Sequence, residues 1–368
     1  MTNEEKFNLI TRNLEEVITP EELEDLIASG KTMKHYIGYE VSGKIHIGQG
    51  LYIMHKIKDL QEAGVKTTIL LADWHTWLNK KLDGKLETAK RLGRDYLEEV
   101  LKAAALCVGA DPDKIEFVLG SELYEKLGLS YWATVIRVAK ATSLSRMIRS
   151  TTIMGRKENE VSDAAMLIYP AMQAADIFMQ EVNIAQAGTD QRNVHVVARD
   201  AANELGFQKP ITIHGHLFQG LLQPSLIENP ETGRKEMDLE AAKMSKSKPD
   251  SGIYMNDTPE EIKRKINHAY APEGEVEFNP ILDWTKWLIF YELNTSFVVK
   301  REERFGGNLT YTSYEELEKD YAEKKLHPMD LKNAVAEWLI NKLEPARKYF
   351  EDPKRKAALE EVESLTRK

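Results

Sequence analysis

Residues 33–73, MKHYIGYEVSGKIHIGQGLYIMHKIKDLQEAGVKTTILLAD, contain the pattern from which the fold class follows. Its first part, KHYIGYE, has the composition of a strand, and a turn that contains glycine follows it. From His46 onward apolar residues recur at helical spacing until Gly64 ends the pattern. The run VKTTILLAD is largely apolar, as in a strand that is buried on both faces. Strand, turn, helix and strand in this order predict a parallel pair with a right-handed crossover.

The same alternation continues along the chain. Residues 83–106 have a helical pattern, and further strands are predicted at KIEFVLG, VNIAQAG and PITIHG, with a helix starting at Gln191. Residues 121–183 are helical in pattern, which predicts an insertion between the two halves of the sheet. The polar stretch 223–237 contains proline and glycine and is interpreted as a surface loop. The predicted fold class is α/β, a Rossmann-like, doubly wound parallel sheet with a helical insertion.

The character of the sequence changes at Thr258. Thr258, Pro259 and Glu261 occupy the N-cap, N1 and N3 positions of a helix start, and Ser313 with Glu316 repeats this capping-box spacing. Asp352-Pro353 begins a charged terminal helix. We therefore predict two domains, a Rossmann-like catalytic domain over 1–257 and a smaller, mainly helical domain over 258–368.

Composition excludes several classes of protein. The 368 residues include 50 Lys and Arg against 59 Asp and Glu, a net charge of −9, so a global basic coat is excluded and any nucleic-acid surface must be a local cluster. The single cysteine, Cys107, cannot form an internal disulfide or a thiolate zinc site and is expected to be buried. The acidic, amphipathic amino terminus has no secretory pattern, and no run approaches ~18 apolar residues, so we expect a cytoplasmic protein without a membrane span.

Two segments are suited to a nucleotide. The first is the strand-to-helix turn 39–50, where glycines allow a ligand to approach the backbone and the next helix directs its N–H groups at phosphate. This turn has neither the GxGxxG nor the GxxxxGK[ST] spacing, so a dinucleotide fold and a P-loop are not supported. The second is 243–248, KMSKSK, whose lysines suit either a loop that closes over a polyphosphate or a solvated basic loop.

Together these segments carry a family resemblance. His46-Ile47-Gly48-Gln49 is similar to the HIGH signature, and Lys243 to Ser247 matches the KMSKS signature, of the class I aminoacyl-tRNA synthetases. The departure is Gln49 in place of the last histidine. The resemblance implies ATP as a substrate, with Mg²⁺ but without a dedicated protein metal ligand. It implies catalysis by His46, Gly48, Lys243 and Lys246, and ATP binding by Gly38, Glu40, His46, Gly48, Lys243, Met244, Ser245 and Lys246.

The segments YIGYEVSGKIHIG, LLADWHTWLN, IYPAMQAADI and DQRNVH resemble the tyrosine-specific branch of that family, of the archaeal and eukaryotic type. The resemblance implies that Tyr36 and Asp176 meet the phenolic hydroxyl of tyrosine. It also implies that Tyr169, Gln173 and Gln191 hold the α-amino end and that His75 lines the pocket. Spacing from the residues alone places Tyr169, Gln173 and Asp176 at i, i+4 and i+7 of one helix. That stripe faces either a polar ligand or water.

The resemblance also implies how tRNA is bound. A local basic cluster contains Arg146, Arg149 and Arg156, and the family implies that this inserted region forms a homodimer interface and contacts the acceptor end of tRNA(Tyr) through Arg149. In the carboxy-terminal region it implies that Phe305 stacks on the first anticodon base and that Asp330 recognises it. Packing of Phe305 in a core is the alternative, and His327 is expected to start a helix.

Three other functions remain open from the sequence. A tryptophan-specific synthetase has the same architecture, but indole has no hydroxyl to meet Tyr36 and Asp176. A nucleotidyltransferase that forms an adenylate without charging tRNA would not need the helical carboxy-terminal domain. A catalytically silent tRNA-binding protein would not need His46, Lys243 and Lys246.

Overall fold

A computed structural model describes residues 1–155, 162–228, 235–237, 244 and 248–366. It has a six-stranded sheet in the order β1-β6-β5-β2-β3-β4, in which β1 is antiparallel to β6 and the remaining neighbours are parallel. The strands are β1 (Glu16–Ile18), β2 (Lys34–Tyr39), β3 (Lys66–Leu71), β4 (Ile115–Leu119), β5 (Ile184–Gly188) and β6 (Ile211–Gly215). The predicted doubly wound α/β fold is confirmed.

The strand order reverses direction between β2 and β5. The chain runs outward from β2 to β3 and β4, and then returns to lay β5 against the other side of β2. Ligands of open α/β sheets bind beyond the carboxyl ends of the strands at such a switch point. The end of β2, from Tyr36 to Glu40, is therefore the place at which a site is expected.

Helices cover both faces of the sheet. The first eleven are α1 (Asn3–Thr11), α2 (Pro20–Ala28), α3 (Ile53–Glu62), α4 (Asp73–Leu78), α5 (Leu86–Leu92), α6 (Glu99–Val108), α7 (Gly120–Leu127), α8 (Leu129–Ala141), α9 (Leu144–Ser150), α10 (Tyr169–Met179) and α11 (Arg192–Leu205). Helices α7 to α10 lie between β4 and β5, which confirms the helical insertion. π-Helical turns at Gly48–Tyr52 and Gly93–Glu98 lead into α3 and α6.

The carboxy-terminal region is helical with one small ribbon. It contains α12 (Pro259–Asn267), α13 (Pro280–Trp287), β9 (Phe297–Val299), β10 (Leu309–Tyr311), α14 (Tyr314–Ala322), α15 (Pro328–Lys342), α16 (Glu344–Tyr349) and α17 (Pro353–Thr366). The predicted capping box at Thr258 and Glu261 is present. At Ser313 only half of it forms, because the carboxylate of Glu316 accepts hydrogen bonds from Thr312 instead.

Short strands are the elements that the sequence does not reveal. Strand β1, the ribbon of β9 and β10, and the pair β7 (Leu226–Glu228) and β8 (Lys235–Met237) contain three residues each. The interpretation of 223–237 as a loop was therefore wrong for 226–228 and 235–237, which pair antiparallel as β7 and β8, while 229–234 lie outside the described residues. Three residues are too few to display the alternation that identifies a strand, and the register of each pair is set by its partner.

The buried residues agree with other expectations. Cys107 is buried in α6. Among the described residues, no helix is both long enough and apolar enough to cross a membrane. Residues of the amino-terminal part, such as Leu51, and of the carboxy-terminal part, such as Trp284, belong to one continuous apolar cluster.

A charged histidine joins three parts of the chain. His216, just beyond β6, has Nδ1 2.5 Å from Glu15 Oε1 and Nε2 2.7 Å from Asp283 Oδ1, and its ring stacks on Trp287 at 4.4 Å. Although burial opposes the charged form, the hydrogen bonds to the two carboxylates outweigh it and raise the pKa of His216 to about 9. The imidazolium therefore connects the segment before β1 with helix α13.

This contact predicts a loss of stability in mild alkali. The folded-state pKa of His216 lies above the ordinary value of 6.5, so the stabilisation is complete below about pH 6.5 and is lost as the pH rises through about 9. Between pH 7 and pH 10 the free energy of unfolding of the parent protein should fall by on the order of 2 kcal/mol more than that of His216→Asn. Urea denaturation at both pH values measures this difference, and parallel curves for the two proteins would exclude the ion cluster as its source.

Candidate active site

A buried carboxylate with an unused oxygen lies at the centre of the site. Asp176 in α10 is fully buried, and its Oδ1 accepts a hydrogen bond of 2.8 Å from the hydroxyl of Tyr131 in α8. None of the described residues donates a hydrogen bond to its Oδ2, which lies 3.6 Å from Nε2 of His75. A buried acceptor without a partner costs about 1–3 kcal/mol. The second oxygen is therefore suited to accept a hydroxyl from a ligand.

Burial controls the charges around this carboxylate. Burial raises the pKa of Asp176 to about 7, while the hydrogen bond from Tyr131 acts in the opposite direction. Burial lowers the pKa of His75 to about 3, so the imidazole is neutral at physiological pH. A neutral His75 can donate from one ring nitrogen and accept at the other, and neither nitrogen is bonded by a described residue.

Tyr36 approaches Asp176 from strand β2. Its side chain is 2 % exposed, and burial followed by the charge of Asp176 raises the pKa of the hydroxyl well above the usual value. A Cβ at position 38 would lie 2.8 Å from the Tyr36 hydroxyl oxygen, so Gly38 leaves the space that this hydroxyl needs. The structure therefore brings together Tyr36 and Asp176, which the family resemblance assigns to the phenolic hydroxyl of tyrosine.

Tyr169 links this group to the end of β2. Its hydroxyl donates to Oε1 of Glu40 at 2.9 Å, and its ring packs edge-on against His75 with centroids 4.5 Å apart. Glu40 also accepts hydrogen bonds from Nδ2 of Asn79 at 2.9 and 3.2 Å. Glu40, expected from the sequence to contact ATP, is thus in direct contact with a residue expected to contact tyrosine.

Gln173 and Gln191, which are expected to hold the amino end of the substrate, are both half-buried. Gln173 is half-buried on α10, one turn beyond Tyr169, as its spacing predicts. Gln191 precedes α11 and donates from Nε2 to the carbonyl of Ile153 at 2.9 Å and to Asp190 at 3.3 Å. Gln191 thereby ties the end of β5 to the inserted helices.

The turn that carries His46 is fixed by a neighbouring segment. Ile47 N donates to the carbonyl of Ile253 at 3.0 Å, Met255 N donates to the carbonyl of Ile45 at 2.9 Å, and His46 is paired with Tyr254. This bridge holds the turn against residues that follow the lysine-rich loop. The turn predicted for nucleotide binding therefore lies beside residues 253–255, which follow the second predicted segment, 243–248.

Close packing explains the glycine at position 48. A Cβ there would lie 3.0 Å from Phe218, 3.1 Å from Met244 and 3.2 Å from Nδ1 of His46. Met244 is itself buried and also packs on Gly252. Met244 thus packs next to the start of the helix. Lys243, Ser245, Lys246 and Ser247 lie outside the described residues.

The residues assigned to tRNA are spread over the surface. Arg149 is exposed in the last turn of α9, while Arg146 pairs with Asp200 at 2.5 Å. Phe305 is 59 % exposed before two glycines with positive φ, beneath the guanidinium of Arg304. Arg156, a further member of the predicted basic cluster, lies outside the described residues.

Helix α15 carries Asp330, the remaining residue that is expected to contact tRNA. Asp330 is half-buried in its first turn. His327 is the N-cap, and its Nδ1 accepts a hydrogen bond of 3.2 Å from Met329 N, so its prediction as a helix-start residue is confirmed. The exposure of Phe305 excludes the alternative that its ring is packed in a core.

Sequence reasoning missed three residues of the site. Tyr131 holds Asp176, Tyr124 stacks on Tyr131 with ring centroids 4.0 Å apart, and Asn79 holds Glu40. Tyr131 and Thr134 share the buried face of α8 with apolar residues, so a buried polar stripe was the available signal. Nothing in the spacing indicates which carboxylate that stripe meets.

A bound metal ion would need several oxygen, nitrogen or sulfur ligands close together. Within the ranges the structure describes, no group of three or more His, Cys, Asp or Glu side chains is arranged to hold a metal. Mg²⁺ prefers six oxygen ligands and retains several waters. The described side chains therefore do not form a cage for it.

Comparison with known proteins identifies the class. The family model of the class I tRNA synthetases (W and Y) matches residues 28–344. The chain belongs to this family, whose members use ATP as a substrate.

Within the family the similarity is to tyrosine–tRNA ligases. The tyrosine–tRNA ligase of Thermococcus sibiricus is 50% identical over 363 residues, which cover 95% of this chain and 96% of the relative. That of Thermococcus onnurineus is 51% identical over 358 residues, 94% of each chain. The crystal structure of tyrosyl-tRNA synthetase complexed with L-tyrosine from Pyrococcus horikoshii superposes with a TM-score of 0.93 at 48% identity, covering 99% of this chain and 100% of that one.

Proposed function

We infer that this protein is a tyrosine–tRNA ligase. The carboxylate of tyrosine attacks the α-phosphorus of ATP. The bond between this phosphorus and the oxygen that bridges it to the β-phosphorus breaks, so pyrophosphate departs and tyrosyl-adenylate remains. A hydroxyl of the terminal ribose of tRNA(Tyr) then attacks the carbonyl carbon, and AMP leaves. Neither step requires a covalent enzyme intermediate, so the protein acts by positioning and by stabilising charge. Relatives at 50–51% identity over nearly the whole chain support this assignment.

The unused oxygen of Asp176 is the observation that carries tyrosine specificity. Oδ2 of Asp176 has no donor among the described residues, and the Tyr36 hydroxyl lies close enough for the charge of Asp176 to raise its pKa. A phenol placed between them can donate to Asp176 and accept from Tyr36. The indole ring of tryptophan cannot accept a hydrogen bond, and the phenyl ring of phenylalanine can neither accept nor donate one. Tyrosine is therefore the amino acid that satisfies both groups.

The amino end of the substrate is assigned to the other side of the cluster. We propose that Tyr169, Gln173 and Gln191 hold the α-ammonium group, with His75 forming a wall of the ring pocket. Tyr169 already donates its hydroxyl to Glu40, so its oxygen lone pairs can still accept a hydrogen bond from an ammonium group. We propose that the carboxylate of tyrosine then faces the His46 turn.

We propose that the nucleotide binds beside the turn 39–50, with Gly38, Glu40, His46 and Gly48 on one side and Lys243, Met244, Ser245 and Lys246 on the other. Met244 packs beside Gly48, and Tyr254 is bridged to His46, which supports this proposal. We propose that His46 and the backbone N–H of Gly48 bind the α-phosphate and that the two lysines neutralise the departing pyrophosphate. Mg²⁺ enters with the triphosphate, since Mg²⁺ is commonly bound through substrate phosphates.

The remaining assignments concern tRNA and assembly. We propose that 1–257 is the catalytic domain and 258–368 the anticodon-binding domain, with Arg149 at the acceptor end and Phe305 and Asp330 at the first anticodon base. Helices α8 and α9 expose Leu129, Ile136 and Leu144 by 84%, 63% and 66%. Such apolar exposure supports a homodimer through the insertion, which sedimentation equilibrium tests. A tRNA-charging enzyme works where translation takes place, so we assign it to the cytoplasm.

Replacing Phe305 with alanine should separate the two reactions. The exposed ring offers a flat surface to a base, and loss of base stacking costs about 1–3 kcal/mol. The kcat/KM for tRNA should fall about 5- to 100-fold, while tyrosine-dependent ATP–pyrophosphate exchange should stay within twofold of the parent rate. Initial rates of both reactions measure the effect. Equal loss in both assays would show that the ring supports the fold instead.

Pyrophosphate exchange with three amino acids tests the proposed function. Exchange between ATP and labelled pyrophosphate should depend on tyrosine and should be far slower with phenylalanine or tryptophan. Charging of tRNA(Tyr) with labelled tyrosine should follow in the same preparation. A preference for tryptophan would overturn the amino-acid assignment, and exchange without charging would overturn the ligase assignment.

A further inference from the structure

Lys44 contacts groups from two other parts of the chain. It is placed in the turn between β2 and His46, and its Nζ is 3.1 Å from Oε1 of Glu363 and 3.6 Å from Oδ1 of Asp257. The same ammonium lies over the ring of Tyr254, 4.8 Å from its centroid. Two carboxylates and an aromatic face therefore engage Lys44, which fixes this cation in place.

Asp257 and Tyr254 come from the segment that follows the lysine-rich loop. Asp257 is buried, and its Oδ2 accepts from Nζ of Lys265 at 2.6 Å and from the backbone N–H of Tyr254 at 3.0 Å. Lys265 lies over the Tyr254 ring as well, at 4.8 Å. Residues 254–257 are thus held by charge, and Lys44 connects them to the His46 turn in addition to the backbone bridge.

Glu363 reaches this cluster from the terminal helix α17. Val362, the preceding residue, is fully buried in the same apolar cluster as Ile45 and Tyr96. The hydroxyl oxygen of Tyr96 accepts a hydrogen bond of 3.1 Å from the backbone N–H of Ile45. The terminal helix therefore packs against groups that support the His46 turn from behind.

We propose that Glu363 is a positioning residue for the ATP site. Glu363 holds Lys44, and Lys44 fixes the turn that carries His46 against residues 254–257. The carboxylate itself does not touch the substrate. The inference rests on the proposed function, because it assigns the turn and the loop to ATP. It gives the terminal helix a part in forming adenylate, although that helix lies in the region assigned to tRNA.

Kinetics of Glu363→Gln in the full chain test the proposal. The variant keeps the shape of the side chain and removes its charge, and Lys44 and Glu363 are about one quarter exposed, so folding should be retained. In tyrosine-dependent ATP–pyrophosphate exchange, the KM for ATP should rise about three- to tenfold, because a displaced turn binds the nucleotide less well. The KM for tyrosine should stay within twofold. Glu363→Asp, which shortens the reach of the carboxylate, should give a smaller rise.

Glu361→Gln is the matched control. Glu361 lies on the same helix and pairs with Arg91 at 2.5 Å, away from Lys44. Replacing Glu361 should leave both KM values unchanged. A comparable rise in the ATP KM of this control would show that Glu363 merely docks the helix. An unchanged ATP KM in Glu363→Gln would also overturn the proposal. If the parent protein itself showed no exchange with tyrosine, the proposed function would fail instead, so the two failures are distinguishable.

Discussion

Replacing Asp176 with alanine should remove the preference for tyrosine over phenylalanine. In the parent protein the free Oδ2 of Asp176 can accept the phenolic hydroxyl, and a hydrogen bond to a charged group contributes about 1.5–3 kcal/mol. Its loss should lower kcat/KM for tyrosine by about 10- to 100-fold. Phenylalanine should be activated at least as well as before, since it no longer leaves a buried carboxylate without a partner. The KM for ATP should change by less than twofold.

Pyrophosphate exchange at varied tyrosine, phenylalanine and ATP measures these constants. Tyr131→Phe provides a graded comparison, because it keeps the carboxylate but deletes the hydrogen bond of 2.8 Å that orients it. Its effect on tyrosine should lie between the parent and Asp176→Ala. If Asp176→Ala retained the original selectivity, the carboxylate would not be the acceptor of the phenol, and Tyr36 alone would have to account for specificity.

Replacing His46 with alanine should slow adenylate formation with little change in tyrosine binding. His46 lies at the turn that precedes α3, and its Nδ1 is 3.2 Å from the Cβ position of Gly48 at the start of that helical segment. Removal of a preorganised donor from a developing charge typically lowers kcat by about 10²–10³. Because the tyrosine pocket around Asp176 is formed by other elements, the dissociation constant for tyrosine should stay within twofold.

Single-turnover formation of adenylate and equilibrium binding of tyrosine distinguish the two effects. His268→Ala is a suitable control, since His268 is an exposed histidine just beyond α12 whose ring contacts the carbonyl of Arg264. It should behave as the parent in both measurements. Weaker tyrosine binding in His46→Ala, in proportion to the loss of rate, would mean that the turn supports the pocket and does not act on the nucleotide.

The parts of the site that follow from local periodicity could be predicted from the sequence. Helix α10 spans Tyr169–Met179, so Tyr169, Gln173 and Asp176 do fall on one stripe, and the strand-turn-helix unit places His46 where a nucleotide turn is expected. These features depend on residues a few positions apart. Regular spacing determines them because helix and strand geometry repeat over that distance.

The contacts that complete the site join residues far apart in the chain. Tyr131 meets Asp176 across 45 positions, and Tyr169 meets Glu40 across 129. Such pairs depend on how α8, α10 and β2 pack, which periodicity does not encode. The same holds for Glu363 and Lys44, whose partners are apparent only once the terminal helix has been placed against the turn.

Strand β1 has a further consequence, for the solubility of the protein. Its residues Glu16–Ile18 pair with Thr212–His214 of β6 and so cover one outer edge of the sheet. An uncovered edge offers free amide and carbonyl groups to any extended peptide, including the same edge of another molecule. Proteolytic trimming that removed the first eighteen residues would leave Tyr36, His46 and Asp176 in the chain, yet it would turn β6 into a docking strand. Aggregation, rather than the loss of a catalytic group, would then be the first defect of the shortened enzyme.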